Sequence, residues 1–245
     1  MRNGVTVLSL KATAEKRVTY PKSTGRPRAG PPGGVSPGAL GNRGGDQLKY
    51  GLRPNPLAEP RLSTAIHAPL IAHSATPCPA VSAITVHVMP DQAGAIALRY
   101  VISADPAAIL LPRTAPSGPA DGLWQHTCCE AFIAGQDSSA YGEFNFSPSG
   151  QWACYRFADY RQRDPAFTAS AAPHTVAQPR ADGFQLDATL PASLLPPAPT
   201  LIIGLSVVIE ASDGSKSYWA LAHGAAQPDF HLRQSFALTL HHTTP

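Results

Sequence analysis

The stretch "HTCCEAFIAGQDSSAYGEFNFSPSGQWACYRFA", residues 126–158, contains three apolar and aromatic runs separated by two turn-forming segments. The runs cover residues 126–134, 140–147 and 151–158. Short runs of this kind, bounded by Gly, Pro, Ser and Asp, are typical of β-strands. The stretch therefore predicts three consecutive antiparallel strands joined by short hairpin loops.

Similar runs occur on both sides of this stretch. Asp182-Gly183 and Asp213-Gly214 each separate two apolar runs, which is a strong signal for a β-hairpin. The further predicted strands are 83–89, 94–103, 174–181, 184–190, 200–211, 215–222 and 234–240. Nine or ten strands without a long helical pattern predict an all-β domain over residues 62–242. The favoured architecture is an antiparallel β-sandwich of jelly-roll or immunoglobulin-like type.

The N-terminal part of the chain, residues 1–61, has a different composition. Its first 60 residues hold 8 of the 26 prolines and 10 of the 20 glycines, with ten Lys or Arg against three Asp or Glu. This composition predicts a disordered basic extension. The charges are scattered and Tyr20 and Tyr50 are its only aromatic residues, so we expect no nucleic-acid partner. No apolar run has transmembrane length or the form of a signal peptide, which favours a cytoplasmic location.

The four cysteines do not indicate a metal site. They form no C-x-x-C pair, and successive residues of a strand point to opposite faces, so Cys128 and Cys129 cannot ligate one ion together. We predict reduced thiols, with Cys129 buried and Cys128 on the opposite face.

The faces of the hairpin follow from its register. If "SPSG" is a four-residue loop, Phe146 lies opposite Gln151 and Glu143 opposite Cys154. The predicted core face then carries Cys129, Ala131, Ile133, Phe144, Phe146, Ala153 and Tyr155. The predicted polar face carries His126, Cys128, Glu130, Phe132, Tyr141, Glu143, Asn145, Trp152, Cys154 and Arg156. A shift of one residue would exchange the faces of a strand.

The polar face suits a sugar, because carboxylates, amides and Arg bind hydroxyl groups while aromatic rings pack on C–H faces. An ordinary solvated sheet face explains Glu130, Glu143 and Arg156 equally well. Glycoside hydrolysis by Glu130 and Glu143 is a further alternative. We find no catalytic motif, however, and residues two apart on a strand, such as His126 and Cys128, are too far apart for a direct nucleophile–base contact. The prediction is therefore a non-catalytic binding module.

Haem binding in electron transfer is the remaining alternative, with Met89 and either His87 or His126 as axial ligands. A single Met or His on a strand is more often a packing or surface residue. The histidines near the end of the chain are predicted to be polar edge or terminal residues: His223, His231, His241 and His242.

Three segments together resemble a known family: "LWQHTCCEAFIAGQDSSAYGEFNFSPSGQWACYRF" (123–157), "SYWALAH" (217–223) and "PDFH" (228–231). They look like the DOMON-like domains of bacteria, which are related to family-nine carbohydrate-binding modules and to haem-binding or sugar-binding DOMON domains. The resemblance implies a β-sandwich that binds a small molecule or glycan between two tryptophans. Trp124 and, six residues later, Glu130 match the first tryptophan and its following carboxylate.

The same resemblance implies roles for the other predicted ligand-binding residues. Trp219 is the expected second tryptophan, and a two-residue turn at Asp213-Gly214 would place it opposite Val208. Asn145 and Arg156 are expected to bind hydroxyl groups, because they share the predicted polar face with Glu130.

Overall fold

The computed structural model describes residues 65–241, which form strands and three short 3₁₀ helices (Leu123–Gln125, Ala192–Leu194 and Arg233–Ser235). The predicted extension, residues 1–61, and residue 242 lie outside the described residues. No helix within 65–241 is long and apolar enough to cross a membrane. The strands of this part of the chain are β1 (Ile66–Ala72), β2 (Val81–Pro90), β3 (Ile96–Ala104), β4 (Ile109–Leu110), β5 (Gly118–Pro119), β6 (Cys128–Gly135), β7 (Tyr141–Phe146), β8 (Gln151–Asp159), β9 (Gln162–Arg163), β10 (His174–Arg180), β11 (Gly183–Leu190), β12 (Thr200–Ala211), β13 (Lys216–Ala220) and β14 (Leu238–His241).

The strands form two layers. The first sheet has the order β10-β11-β3-β2-β1, and the second has the order β13-β12-β6-β7-β8-β5, with β4 and β14 beside β12 and β9 beside β8. The major ladders are antiparallel. β1 joins the layers, because it pairs with β2 while its last residues, Ile71 and Ala72, pair with β13.

The main core fills the space between the two sheets. Tyr100 on β3 is fully buried, and its hydroxyl donates to the backbone oxygen of Glu130 on β6 at 2.8 Å. Because β3 and β6 belong to different sheets, this bond shows that the two sheets face each other across the core. A buried tyrosine needs such a partner for its polar end. Fully buried apolar residues from both sheets surround it, including Val86, Leu98, Ile102, Ile133, Phe146, Leu186 and Leu205. The predicted antiparallel β-sandwich is confirmed.

β6 and β7 present their side chains as the sequence predicts. Cys129, Ala131 and Ile133 lie in the main core, as do Phe144 and Phe146. The intervening residues point to the other face of the second sheet, here called the outer face. Glu130, Glu143 and Asn145 are on this face, and all three are buried.

The predicted register of the β7–β8 hairpin is wrong by one residue. Its loop has three residues, since Ser147 N–H donates to the Gln151 oxygen at 2.9 Å and Gly150 takes a left-handed φ of 94°. Three-residue hairpin loops commonly end on such a residue. Phe146 therefore pairs with Trp152. The shift moves Ala153, Tyr155 and Phe157 to the outer face, and it moves Trp152, Cys154 and Arg156 to the opposite face.

The predicted register of the β12–β13 hairpin is also wrong by one residue. Ala211 N–H donates to the Ser215 oxygen at 2.8 Å around a loop whose Gly214 has φ of 82°, so this loop also has three residues. Trp219 pairs with Val207, not with Val208, and lies in the main core.

A second apolar cluster covers part of the outer face. The C-terminal segment, residues 221–237, contributes Phe230 and Phe236, which pack on Phe132. Gly204 on β12 permits this close packing, because a Cβ there would lie 3.0 Å from the Phe236 ring. The C-terminal segment thus gives the sandwich a partial third layer above β12, β6 and β7.

The adjacent cysteines point to opposite faces as predicted, and Cys129 is buried, but Cys128 is also fully buried. Burial raises the pKa of both thiols well above the usual value and that of Cys154 to about 12. Only thiolates react readily with alkylating reagents. We therefore expect Cys78 to be labelled first in the native protein, and Cys128 and Cys129 only after unfolding. Mass spectrometry of alkylated peptides measures this order, and early labelling of Cys128 would contradict the described packing.

Candidate functional site

Polar side chains occupy the middle of the outer face in two neighbouring rows. Ser206 on β12, Glu130 on β6 and Asn145 on β7 are consecutive cross-strand partners and form the first row. The second row runs from Phe132 through Glu143 to Tyr155. Glu130, Glu143, Asn145 and Ser206 are called the acceptor cluster below.

Few hydrogen-bond donors serve this cluster. Asn145 Nδ2 donates to Glu143 Oε1 at 2.9 Å, and Ser206 Oγ donates to Glu130 Oε2 at 3.3 Å. Asn145 Oδ1 is buried without a partner among the described residues. Glu130 and Glu143 are only 3% and 6% exposed, so water does little to solvate them. A buried acceptor without a partner is costly, so Asn145 Oδ1 is a candidate contact for a ligand that donates hydrogen bonds.

The protonation equilibria of the two carboxyl groups are shifted toward the neutral forms. Burial raises the pKa of Glu130 well above its usual value, and the neighbouring Glu143 raises it further. Burial also raises the pKa of Glu143 to about 7, although the Asn145 hydrogen bond, Arg163 and Arg161 act in the opposite direction. At neutral pH Glu143 is therefore about half protonated in the free protein, and burial favours the neutral form of Glu130.

His231, from the C-terminal segment, borders the cluster. Its Nε2 lies 3.7 Å from Glu143 Oε2, and its Nδ1 is 2.8 Å from the Tyr141 hydroxyl. Burial lowers the pKa of His231 to about 4, so the ring is neutral at pH 7. Because Tyr141 accepts from the Arg161 N–H, its own proton is free for Nδ1. This arrangement favours a proton on Nε2, directed toward Glu143.

Trp124 lies near the other border of the outer face. It is 51% exposed and belongs to the 3₁₀ helix Leu123–Gln125, which packs against β6, β7 and β8. Leu123 anchors this helix in the second apolar cluster, and the Tyr155 hydroxyl donates to Asp121 Oδ1 at 2.8 Å. The loop therefore holds an exposed indole beside the strands that carry the carboxylates.

The structure brings together some predicted site residues and separates others. Glu130, Glu143 and Asn145 form one cluster, with Trp124 on the neighbouring loop. Arg156 points from the opposite face, and its guanidinium lies 4.7 Å from the centre of the Phe167 ring. Trp219 is a core residue that is 7% exposed, with its indole N–H donating to Ser217 Oγ. Neither Arg156 nor Trp219 adjoins the acceptor cluster.

Sequence reasoning missed Ser206 and Tyr155, and it misplaced His231 at a polar edge. The apolar run 200–211 gave no reason to single out its one serine, although that serine shares the outer-face parity of Val208. "PDFH" was the available signal for His231, because it placed a phenylalanine and a histidine together near the end of the chain.

The residues considered for haem do not converge. His87 and Met89 are on β2 of the first sheet, where His87 packs against His67. His126 lies beside the second sheet, with Nδ1 2.7 Å from Glu210 Oε2. Within residues 65–241, no group of three or more His, Cys, Asp or Glu side chains is placed to hold a metal ion.

Comparison with known proteins gives structural matches alone, since no protein-family model and no curated protein sequence matches the chain. A Bacteroides uniformis protein that is thought to bind carbohydrate matches at 16% identity and a TM-score of 0.55, over 71% of this chain and 85% of its own. Two structures of a family-nine carbohydrate-binding module from Caldicellulosiruptor kristjanssonii also match. The glucose complex has 10% identity, a TM-score of 0.49 and coverage of 73% and 85%, and the cellotriose complex has 11%, 0.46, and 64% and 72%. The first match shows that the two chains share a fold.

Proposed function

We propose that this domain binds a carbohydrate or a similar polyol without transforming it, at the outer face of the second sheet. The observation that carries the proposal is Asn145 Oδ1, a buried acceptor that has no hydrogen-bond partner among residues 65–241 and lies on the same face as the buried carboxyl groups of Glu130 and Glu143. A polyol supplies several hydroxyl donors at close spacing, and each would satisfy one of these acceptors. A ligand that reaches Glu130 and Glu143 must displace part of the neighbouring C-terminal segment or the Trp124 loop, because both carboxyls are covered.

Trp124 completes the proposed site. Its exposed indole offers a flat apolar surface beside a polar cluster, which is the combination that a sugar ring requires. The shared fold with the Bacteroides uniformis protein thought to bind carbohydrate supports this assignment. So does the resemblance of residues 123–157 to DOMON-like domains and family-nine modules. The present site differs from the pattern implied by that resemblance, because Trp219 is buried in the core.

A glycan array probed with the full chain tests the proposal and identifies a ligand. With the best glycan, we expect Trp124→Ala and Glu130→Gln each to weaken binding about fivefold or more. Trp124→Ala removes the stacking surface, and Glu130→Gln replaces an acceptor oxygen by a donor. Calorimetric titration measures both effects, with circular dichroism to show that the variants are folded.

Arg156→Ala is the matched control, because Arg156 is exposed on the opposite face and should leave the affinity unchanged. If Trp124→Ala and Glu130→Gln both bind the glycan with wild-type affinity, the outer face is not the binding site.

A glycoside hydrolase is the second candidate, and one observation favours it. Glu143 has a pKa near 7 beside a second carboxyl group, as a general acid requires. Hydrolysis of a chromogenic glycoside that is abolished by Glu143→Gln or by Glu130→Gln, with binding retained, would replace the binding-module proposal.

A further inference from the structure

A separate cavity of about 250 Å³ opens at the end of β8, beyond the acceptor cluster. Residues from three parts of the chain line it: Ser139 and Tyr141 at the start of β7, Asp159 and Tyr160 at the end of β8, and His231, Leu232, Arg233 and Gln234 of the C-terminal segment. A volume of this size is below the range of pockets for drug-sized ligands, roughly 300–1,000 Å³. It corresponds to a ligand of about one small ring.

Tyr160 gives this cavity an aromatic wall. Its side chain is 48% exposed, yet its hydroxyl donates to Asp229 Oδ2 at 2.6 Å. Asp229 is fixed in turn by Arg161 Nη2 at 2.8 Å and by the backbone N–H of His231 at 3.0 Å. The ring is therefore held in place before a ligand arrives, which reduces the entropy lost on binding.

The residues that line the cavity include polar side chains of both kinds. The Gln234 amide and the second carboxylate oxygen of Asp159 have no hydrogen-bond partner among residues 65–241, while Asp159 Oδ1 accepts from the Tyr160 N–H. Arg233 uses one nitrogen to donate to the Ser138 oxygen at 3.2 Å and retains further N–H donors. The lining thus offers donors and acceptors together beside one aromatic ring.

The charges of the lining select the class of ligand. Asp159 would repel a phosphate or carboxylate, and Arg233 would repel an ammonium group, so neither sign is favoured. A neutral molecule that both donates and accepts hydrogen bonds and has an apolar face fits this lining. A single sugar ring or cyclitol has these properties.

We propose that this cavity is a second polyol-binding site, in which the Tyr160 ring packs on the ligand while Asp159, Arg233 and Gln234 bind its hydroxyl groups. The site is distinct from the acceptor cluster. His231 lines the cavity and also borders the acceptor cluster, since its Nδ1 contacts Tyr141 and its Nε2 lies 3.7 Å from Glu143. The four side chains proposed to bind the ligand here, those of Tyr160, Asp159, Arg233 and Gln234, do not belong to the acceptor cluster.

Two-dimensional NMR titration of the full chain with D-glucose, D-galactose and myo-inositol tests this site. We expect at least one of the three to shift the Gln234 side-chain amide and the Ser139 backbone amide. Tyr160→Ala should weaken that response about fivefold. Trp124→Ala, which alters the other site, should retain it, and Tyr160→Phe, which keeps the ring but loses the bond to Asp229, should weaken it less than Tyr160→Ala.

The two proposals can fail separately. Shifts of the Trp124 indole N–H without any shift at Gln234 would overturn the second site and leave the proposed function in place. Shifts at Gln234 without any at Trp124 would support the second site, while the proposed function is tested with the glycan found on the array. A wild-type response in Tyr160→Ala, or a stronger response at Gln234 to inorganic phosphate than to the three polyols, would also overturn the second site.

Discussion

Glu143→Gln is expected to raise the free energy of unfolding by on the order of 3 kcal/mol at pH 8 and to change it little at pH 4. Glu143 is buried on the outer face, and its pKa rises from 4.5 to about 7 on folding. Glutamine cannot ionise, and it retains the oxygen that accepts from Asn145. The substitution therefore removes the unfavourable burial of a charge without removing the hydrogen bond.

The direction of the pH dependence follows from proton binding. Between pH 4.5 and about pH 7 the folded protein keeps the Glu143 proton that the unfolded chain has released. The contribution of Glu143 to stability therefore falls as the pH rises through this range and is constant above it. Glu130, whose pKa is also raised, acts in the same direction.

His231 acts in the opposite direction over nearly the same range. Its pKa falls from 6.5 to about 4 on folding, so the unfolded chain binds a proton there that the folded protein does not. Its contribution to stability is fully present above pH 6.5 and is lost as the pH falls toward 4. The wild-type curve contains both effects, and the difference between wild type and Glu143→Gln isolates the carboxyl group.

Urea unfolding of both proteins at pH 4, 6 and 8 measures this difference. Arg156→Gln is a suitable control, because it changes an exposed side chain on the opposite face of β8. Equal stability of wild type and Glu143→Gln at pH 8 would mean that Glu143 ionises freely in the folded protein and is not buried as described.

The second large effect is expected in ligand affinity. A polyol that donates hydrogen bonds to Glu143 binds its ionised form best, because charge-assisted hydrogen bonds are the stronger ones. With a pKa of about 7, Glu143 is mostly ionised at pH 8 and mostly protonated at pH 5.5. The apparent affinity should therefore fall from pH 8 to pH 5.5, by at most about 30-fold if only the ionised form binds.

Calorimetric titration with the glycan found on the array measures this dependence. In Glu143→Gln the affinity should be lower at pH 8 and vary little with pH, since the titrating group is gone. An affinity that is constant with pH in the wild-type protein would exclude direct binding of the ligand to the Glu143 carboxylate.

The strands could be predicted from the sequence because apolar alternation and turn residues mark them locally. The faces of β6 and β7 follow from this alternation, and they place Glu130, Glu143 and Asn145 together correctly. The predicted registers of β8 and β13 are wrong because "SPSG" and "SDGS" permit loops of different length. The left-handed glycines Gly150 and Gly214 make both loops three residues long, which exchanges the faces of the following strands.

The remaining parts of the site depend on contacts between distant segments. Ser206 reaches Glu130 through the pairing of β12 with β6, two strands separated by more than sixty positions in the chain. His231 reaches Glu143 because the C-terminal segment folds back over the outer face. Local periodicity contains no information about such pairings.

The acceptor cluster also explains why this part of the fold is a candidate for function. Two carboxyl groups held in a buried site reduce stability at neutral pH, and strongly perturbed ionisable groups are more common at functional sites than elsewhere. A polyol would stabilise the ionised cluster by supplying the missing donors. Its binding would therefore offset the loss of stability that the free protein carries.

A crystal structure of the full chain with the best glycan from the array tests this account most directly. We predict that ligand hydroxyl groups lie within hydrogen-bond distance of Glu143 or Glu130 and of Asn145 Oδ1, with a sugar face on the Trp124 ring. A glycan bound elsewhere, with Asn145 Oδ1 still unpartnered and the C-terminal segment unmoved, would contradict it.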